Sequence, residues 1–505
     1  MGRSSTQEDS TTESLLRTVG SQHGDDNKKH HRDDNRLDED LLEWVIDINK
    51  NLEEGHTYDL GKSWTIYRVP TNMLEAHRTA FVPKIISIGP FHYGDERYKV
   101  MEEHKMRFLI RMLGGKFEGN KNGDTKAGVG ESHHHGIWGL GDHHKHSTLL
   151  NDLSLAMKNL EGRTRESYSE SIKLSSKDFI RMMIVDGCFV VGLLRLYHKS
   201  REERVDDPIF TTPWMLRTLQ RDLIMLENQL PYFVLEELFN LTSTDNQETP
   251  LKHLIVMFFD PLFPREDPIS KLNTEIEDYH MLNIFRSTFL ITARKKFSLM
   301  ESTHHHENSS SSGVEERQLS HSATELEETG IEFRRHEGVD MLDIVYHNGA
   351  LKIAPLTIDD NAVLLFLNFL AYEQCDKLSR PFFTNFFVFL DSLVNDVGDI
   401  EILHKYGILN HHLGSDEDVV TLVGQLCRQM VYDPDQFYLA PEAKKINHRC
   451  TVYYQSEWRH WWRNLISTYF SSPWAFLSLA AAILLLVLTF LSTFYVIYAY
   501  YQPTA

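Results

Sequence analysis

The residues that could do chemistry in this chain are, at first sight, its histidines. His133, His134 and His135 are followed by His143, His144 and His146, a second run covers His304, His305 and His306, and His411 and His412 form a pair. Imidazoles at this density can take up Zn²⁺ or Ni²⁺. A working site also needs fixed geometry and outer groups that orient the ligands. The first two clusters stand in Gly-, Ser- and His-rich stretches that supply neither, so they read as solvated low-complexity sequence and no metal or other cofactor is expected. Cys188, in Asp186-Gly187-Cys188-Phe189, would be a nucleophile only as a thiolate. Its neighbours, from Phe179-Ile180 to Val190-Val191 and Leu193-Leu194, form an apolar helix in which a thiol is core filler. The acidic run Asp416-Glu417-Asp418 lacks the glycine and the twelfth-position glutamate of a calcium loop. No G-x-S-x-G, G-x-x-x-x-G-K-[ST], G-x-G-x-x-G or H-E-x-x-H occurs. No catalytic constellation is expected.

The more informative polar residues are those locked into apolar runs. Glu227, Asn228 and Gln229 sit between Leu226 and Leu230-Pro231-Tyr232-Phe233, and Glu373 and Gln374 end the run that begins at Phe366 and includes Asn368. Buried amides and carboxylates need hydrogen-bond partners, so these five residues read as tertiary staples between helices rather than as a ligand pocket.

Elements able to hold such staples follow from the hydrophobic pattern. A polar tail, residues 1–40, is expected to be disordered. Helices are expected over Leu41 to Glu54, through Arg107, Leu109 and Met112, over Leu150 to Leu196, and over Leu216 to Phe239, where Pro231 must kink or restart the last of them. The stretch Ile66 to Gly94 is punctuated by Pro and Gly. Mobile insertions are expected at about 114–147 and 302–322. Short β-like pieces at Ile331 to Phe333 and Ala350 to Leu356 precede helices over Asn361 to Glu373 and Phe382 to Asn395. The fold class is therefore mostly α with a few short strands. Lys and Arg number 52 against 72 Asp and Glu, a formal charge of −20, which excludes a general nucleic-acid binder. Aromatic residues at 11% exclude a wholly disordered chain. Four cysteines, none in a C-x-x-C pair, exclude a disulfide scaffold.

After Arg463 no Asp, Glu, Lys or Arg occurs. From Trp474 through Leu485 to Tyr495 the chain is almost continuously Leu, Ala, Ile, Val and Phe, which as a helix is roughly 33 Å long and matches a hydrocarbon core of about 30 Å. Aromatic residues crowd both ends, as at headgroup depth. A transmembrane helix is expected over 473–500, with a short tail at 501–505, so the bilayer is one partner. The start of the chain has no apolar run of the signal-peptide kind. Lys444, Lys445, Arg449, Arg459 and Arg463 precede the span, which by the positive-inside rule leaves the body cytoplasmic and the protein tail-anchored, at the plasma membrane or an endomembrane. Two N-x-[ST] sequons, at Asn240 and Asn308, would then stay unmodified. Met1-Gly2-Arg3-Ser4-Ser5-Thr6 fits the myristoylation pattern but is followed by acidic, not basic, sequence.

The same motifs resemble a family. Ile66-Tyr67-Arg68-Val69-Pro70, Pro83 with Ser87-Ile88-Gly89-Pro90-Phe91-His92-Tyr93-Gly94, Glu103-His104-Lys105, Asp186-Gly187-Cys188-Phe189, and Asp222-Leu223 with Leu226 to Phe233 stand in the order of the plant "domain of unknown function 247" family. Gly330-Ile331-Glu332-Phe333, Ile358-Asp359-Asp360, Asn368 to Cys375 and Leu413 to Val419 continue that order. The resemblance runs from about Leu42 to the C-terminal span. It departs at Gly192, where the family often carries an acidic residue, and at Gly424-Gln425, where it commonly has Phe-Asn. The resemblance implies a largely helical, usually membrane-anchored protein without established enzymatic activity, some grass members of which are associated with self-incompatibility on the pollen side. The leading expectation is a non-enzymatic recognition or signalling protein with an unidentified protein partner. A membrane-tethered scaffold and a cryptic hydrolase or transferase are the alternatives.

Overall fold

A computed structural model describes residues 64–114, 140–243, 248–265, 278–304, 318–337, 340–428, 430–455 and 473–501. The expected tail at 1–40, the helix at Leu41 to Glu54 and most of both insertions lie outside the described residues. The fold is mostly α with a few short strands. Helices of seven residues or more are α1 (Lys99–Met112), α2 (Leu140–Glu166), α3 (Ser176–His198), α4 (Pro213–Leu223), α5 (Tyr232–Leu241), α6 (Leu251–Phe259), α7 (Met281–Ser287) and α8 (Ile291–His304). After the strands come α9 (Asp360–Cys375), α10 (Phe382–Leu393), α11 (Val397–Lys405), α12 (Asp416–Arg428), α13 (Ala440–Tyr454) and α14 (Pro473–Tyr501).

The hub is α3. Ser175 caps it by accepting from the Asp178 N–H, and its buried face runs almost unbroken from Met182 to Leu196. Such all-round apolarity forces a helix to be covered on every side, and α1, α2, α5 and α6 pack around it. Close approach is made possible by glycine. A Cβ on Gly187 would meet Leu238 Cδ1 at 2.2 Å, and one on Gly192 would meet the Phe108 ring at 2.7 Å. The departure from the family at Gly192 thus has a packing reason in this chain: Phe108 occupies the space a larger side chain would need.

The second half is built on α9 and α10, whose Phe366, Phe369, Phe383 and Phe387 interlock with ring centroids 4.7 to 6.3 Å apart. Such aromatic pairs add stability beyond the area they bury. Before α9, β1 (Glu332–Arg335), β2 (Ile344–His347) and β3 (Ala350–Ile353) form a sheet in the order β1-β3-β2. In it β1 runs parallel to β3 with Phe333 opposite Leu351, and β2 is antiparallel to β3. Strands β4 (Leu356–Ile358) and β5 (Leu409–His411) pair in parallel.

Several expected elements are corrected. The single helix over Leu216 to Phe239 is two, α4 and α5, separated by the turn 224–231. The reason is local competition for carbonyls: the Gln229 amide donates to the Leu223 and Met225 carbonyls and the Asn228 amide to the Asp222 carbonyl. Side chains that bond the backbone in this way offer it an alternative to the helix. Pro231, lacking an N–H, starts α5 rather than kinking a continuous helix. The expected helix over Leu150 to Leu196 is likewise two, α2 and α3. Its first part begins earlier, so that 140–147 of the expected insertion is helical, and 302–304 of the second insertion ends α8. Strands β2 and β5 were not expected, and the single piece expected over Ala350 to Leu356 is β3 followed by only the first residue of β4. The β2–β3 hairpin carries a readable signal in Asn348-Gly349, both at positive φ (52° and 80°), the pair that a two-residue turn of this hand requires. The helix α14 has a 19-residue apolar stretch, Ala480–Tyr498, long and apolar enough to cross a membrane. Trp474 lies in its first turn, and Leu485 and Tyr495 are exposed along it.

Candidate functional site

Two of the five expected staples, Glu227 and Asn228, meet one structural problem. Residues 66–91 contain two short helices, Thr71–Ala76 and Arg78–Phe81, joined and flanked by irregular chain, and the buried N–H groups of the irregular parts need acceptors. The turn 224–231 and the helices beside it supply them. The Glu227 carboxylate accepts from the Val69 N–H (2.9 Å) and the Arg68 guanidinium (2.8 Å). Asn228 Oδ1 accepts from the Ile88 N–H at 2.6 Å while its amide donates to the Ile86 carbonyl. Asp222, fully buried, accepts from the Lys84, Ile85 and Ile86 N–H groups. Burial pushes its carboxyl above the usual range, and those backbone bonds pull against the rise. Asn368 reaches over from α9, accepting from the Leu226 N–H and donating to the Ala80 carbonyl. Gly89 sits at φ +75°, and a Cβ there would meet the Gln229 carbonyl at 2.8 Å, so only glycine fits.

Gln229 ties this turn to α7, its Oε1 accepting from the Leu282 N–H. Glu373 caps the start of α10, where Pro381 makes no side-chain cap: its carboxylate accepts from the Phe383 and Thr384 N–H groups, the Thr384 hydroxyl and the Arg286 guanidinium. Gln374 makes a two-way bond with the backbone of Val431.

The cysteines and histidines behave differently from a reactive set. Cys188 is fully buried, and burial pushes its thiol up to about 12, as it does that of Cys375. A thiol held there is protonated at neutral pH. His411 Nε2 lies 2.7 Å from Asp416 Oδ1. His133 to His135, His305 and His306 lie outside the described residues. Among the described residues, no group of three or more His, Cys, Asp or Glu side chains is placed to hold a metal ion.

Beside the framework lies a cavity of about 410 Å³ between α7, α8 and the turn from α9 to α10, with Asn283, Arg286, Arg294, Tyr372, Asp376 and Arg380 on its wall. None of these was a sequence-derived candidate. The available signal was Arg286, a lone cation inside the apolar run Met281 to Leu290. Arg286 is 2% exposed and bonds Glu373 and the Arg380 carbonyl. Asp376 accepts from the Tyr372 hydroxyl (2.8 Å) and the Leu378 N–H (3.0 Å).

His280, buried next to this wall, caps α7 by accepting from the Asn283 N–H. Burial, with the Arg286 charge adding to it against the pull of the Thr65 backbone, lowers its imidazole to about 3. A folded value below the unfolded one of about 6.5 means the unfolded state takes up the proton first, so stability is full above pH 6.5 and is lost as pH falls towards 3. The expected loss from this residue between pH 7 and pH 5 is about 2 kcal/mol. His280→Asn keeps a capping oxygen and should remove that part of the acid slope in urea unfolding. A slope identical to the parent's would place the proton uptake elsewhere.

The model of a family described as a plant protein of unknown function, domain of unknown function 247, matches residues 66–488. The chain belongs to this family. A UPF0481 protein of Arabidopsis thaliana is 30% identical over 452 residues, covering 87% of each chain. A second Arabidopsis thaliana protein, named as a putative UPF0481 protein, is 20% identical over 545 residues, 91% of this chain and 96% of its own. No solved structure matches. The framework thus gives a physical reading to the family motifs this chain carries: Asp186, Asp222, Glu227, Asn228 and Asn368 each satisfy backbone groups of residues 66–91 or of the turn that grips them.

Proposed function

We propose that this chain is a membrane-anchored, non-enzymatic recognition protein whose helical body, on the cytoplasmic face, binds a protein partner. The observation that carries the anchor is α14: Leu484, Leu485, Leu486, Phe490 and Val496 all stand exposed along one helix. An apolar surface of that extent needs lipid or protein to cover it, and its length suits the bilayer. The non-enzymatic part is supported by the deployment of the buried carboxylates of Asp186, Asp222, Glu227 and Glu373, whose lone pairs go to backbone N–H groups and to paired cations. A pollen-side self-incompatibility role is the finer form of this reading, taken from the family resemblance.

The anchor is tested by alkaline carbonate extraction of membranes. Full-length protein should stay in the pellet, and a chain lacking residues 473–505 should appear in the supernatant. Release of the full-length chain by carbonate would overturn the reading.

A further inference from the structure

The wall of the cavity between α7 and α8 holds, among the described residues, one cation that no carboxylate pairs with. Arg286 is paired with Glu373, and Arg380 with Glu301 at 3.0 Å. Arg380 also lies over the Phe297 ring, 4.0 Å from its centroid. Arg294, one turn into α8, makes no ion pair among the described residues, and no carboxylate figures among the groups that act on its guanidinium. Burial and the charge of Arg286 lower it only to about 10, so it is cationic at neutral pH. Two further polar atoms on the wall, Arg286 Nε and Asn283 Oδ1, are buried and without a hydrogen-bond partner. Buried groups of this kind are normally satisfied, and a partly buried cation lacks here the carboxylate that Arg286 and Arg380 each have.

We propose that this cavity binds a small organic monocarboxylate with an apolar or aromatic body. The carboxylate is the missing counter-ion of Arg294, accepting two parallel hydrogen bonds from its planar fork. The rest of the wall, Leu290, Phe297, Tyr372, Leu378 and Phe382, suits an apolar body, and the volume lies within the ordinary range for small-molecule sites. Asn283 Oδ1 is free to accept from a donor on that body. The charge of the wall sets the valence of the ligand. With Arg286 paired to Glu373 and Arg380 to Glu301, Arg294 is the one cation left on the described wall and Asp376 the one carboxylate there without a cation, which repels a second negative charge, so a phosphate dianion is disfavoured against a carboxylate.

The test uses the full chain in phosphatidylcholine nanodiscs, titrated calorimetrically with 2-naphthoate, 2-naphthyl phosphate and the neutral 2-naphthamide, with empty nanodiscs subtracted. Naphthoate should bind at least tenfold more tightly than either of the others. Arg294→Gln should weaken naphthoate at least tenfold without lowering the melting temperature, because no protein group loses a partner. Arg294→Lys should recover part of the loss. Ser298→Trp, at an exposed position on the rim, keeps every charge and takes the room, and should abolish binding. The proposal is overturned if the parent does not bind naphthoate, if the phosphate ester binds more tightly, or if Arg294→Gln binds as the parent does.

Discussion

Replacing Glu373 with Leu is expected to lower the stability of the body by about 3–5 kcal/mol, the cost of breaking a buried ion pair from one side. The Glu373 side chain is fully buried and bonded at both oxygens. Leucine removes four interactions together. The Phe383 and Thr384 N–H groups at the start of α10 lose their acceptor, and Pro381 offers no substitute. Arg286, 2% exposed, keeps only the Arg380 carbonyl. Glu373→Gln retains one acceptor oxygen but turns an NH₂ towards donors, and should fall between the parent and the leucine variant. The check is urea unfolding followed by tryptophan fluorescence. If Glu373→Leu unfolds at the parent's midpoint, the carboxylate is not the cap the geometry makes it.

What was legible in the sequence, and what was not, divides by the range of the interaction. Polar residues inside apolar runs stand out one at a time, so Glu227, Asn228, Gln229, Glu373 and Gln374 were found without any partner being known. Their setting was misread where periodicity alone was used. The apolar spacing of Leu219, Leu223, Leu226 and Leu230 is helical, yet all four are buried for different reasons: two on α4 and two in the turn that follows. Spacing does not report that an Asn or Gln side chain has taken the carbonyls a helix would use. The α9 and α10 assignments succeeded, with the ends moved by a residue or two, because the side chains that bond helix carbonyls there, Asn368 to Leu364 and Ser392 to Val388, reach back to i−4 along an unbroken helix. The cavity was invisible for a geometric reason. Arg286 and Arg294 lie on successive helices and Arg380 arrives from the far side of the sheet in sequence, so no spacing rule joins them. The staple partners were hidden likewise: the segment 66–91 shows Pro and Gly punctuation, but nothing in it says that its N–H groups would be met by side chains more than a hundred residues away, such as Glu227 at Val69.

The second large effect is expected at the base of the same segment. Lys105 is 1% exposed, and its ammonium donates to Asp186 Oδ1 (2.7 Å), Glu102 Oε1 (2.6 Å) and the Ser87 carbonyl. Asp186 is 2% exposed and has one other acceptor bond, from the Gly89 N–H at 2.9 Å. Burial already pushes the Asp186 carboxyl up, although Lys105 pulls it down, and Asp186 with Glu102 holds the Lys105 ammonium above its usual value against the opposing effect of burial. Lys105→Met should therefore cost about 3–5 kcal/mol at pH 7.5, because it leaves a carboxylate uncompensated in an apolar interior. The pH dependence separates this from a loss of packing. Without Lys105 the folded-state value of Asp186 rises further, and a carboxyl raised in the folded state is least unfavourable at low pH and loses stability as pH rises through its folded value. The deficit of Lys105→Met relative to the parent should shrink on going from pH 7.5 to pH 5, while both chains carry the same histidine contribution. Adding Asp186→Asn should recover part of the loss at pH 7.5 and make the remaining deficit independent of pH. A Lys105→Met deficit that stays constant over this range would mean that the stem of the lysine, not its charge, is what the core needs.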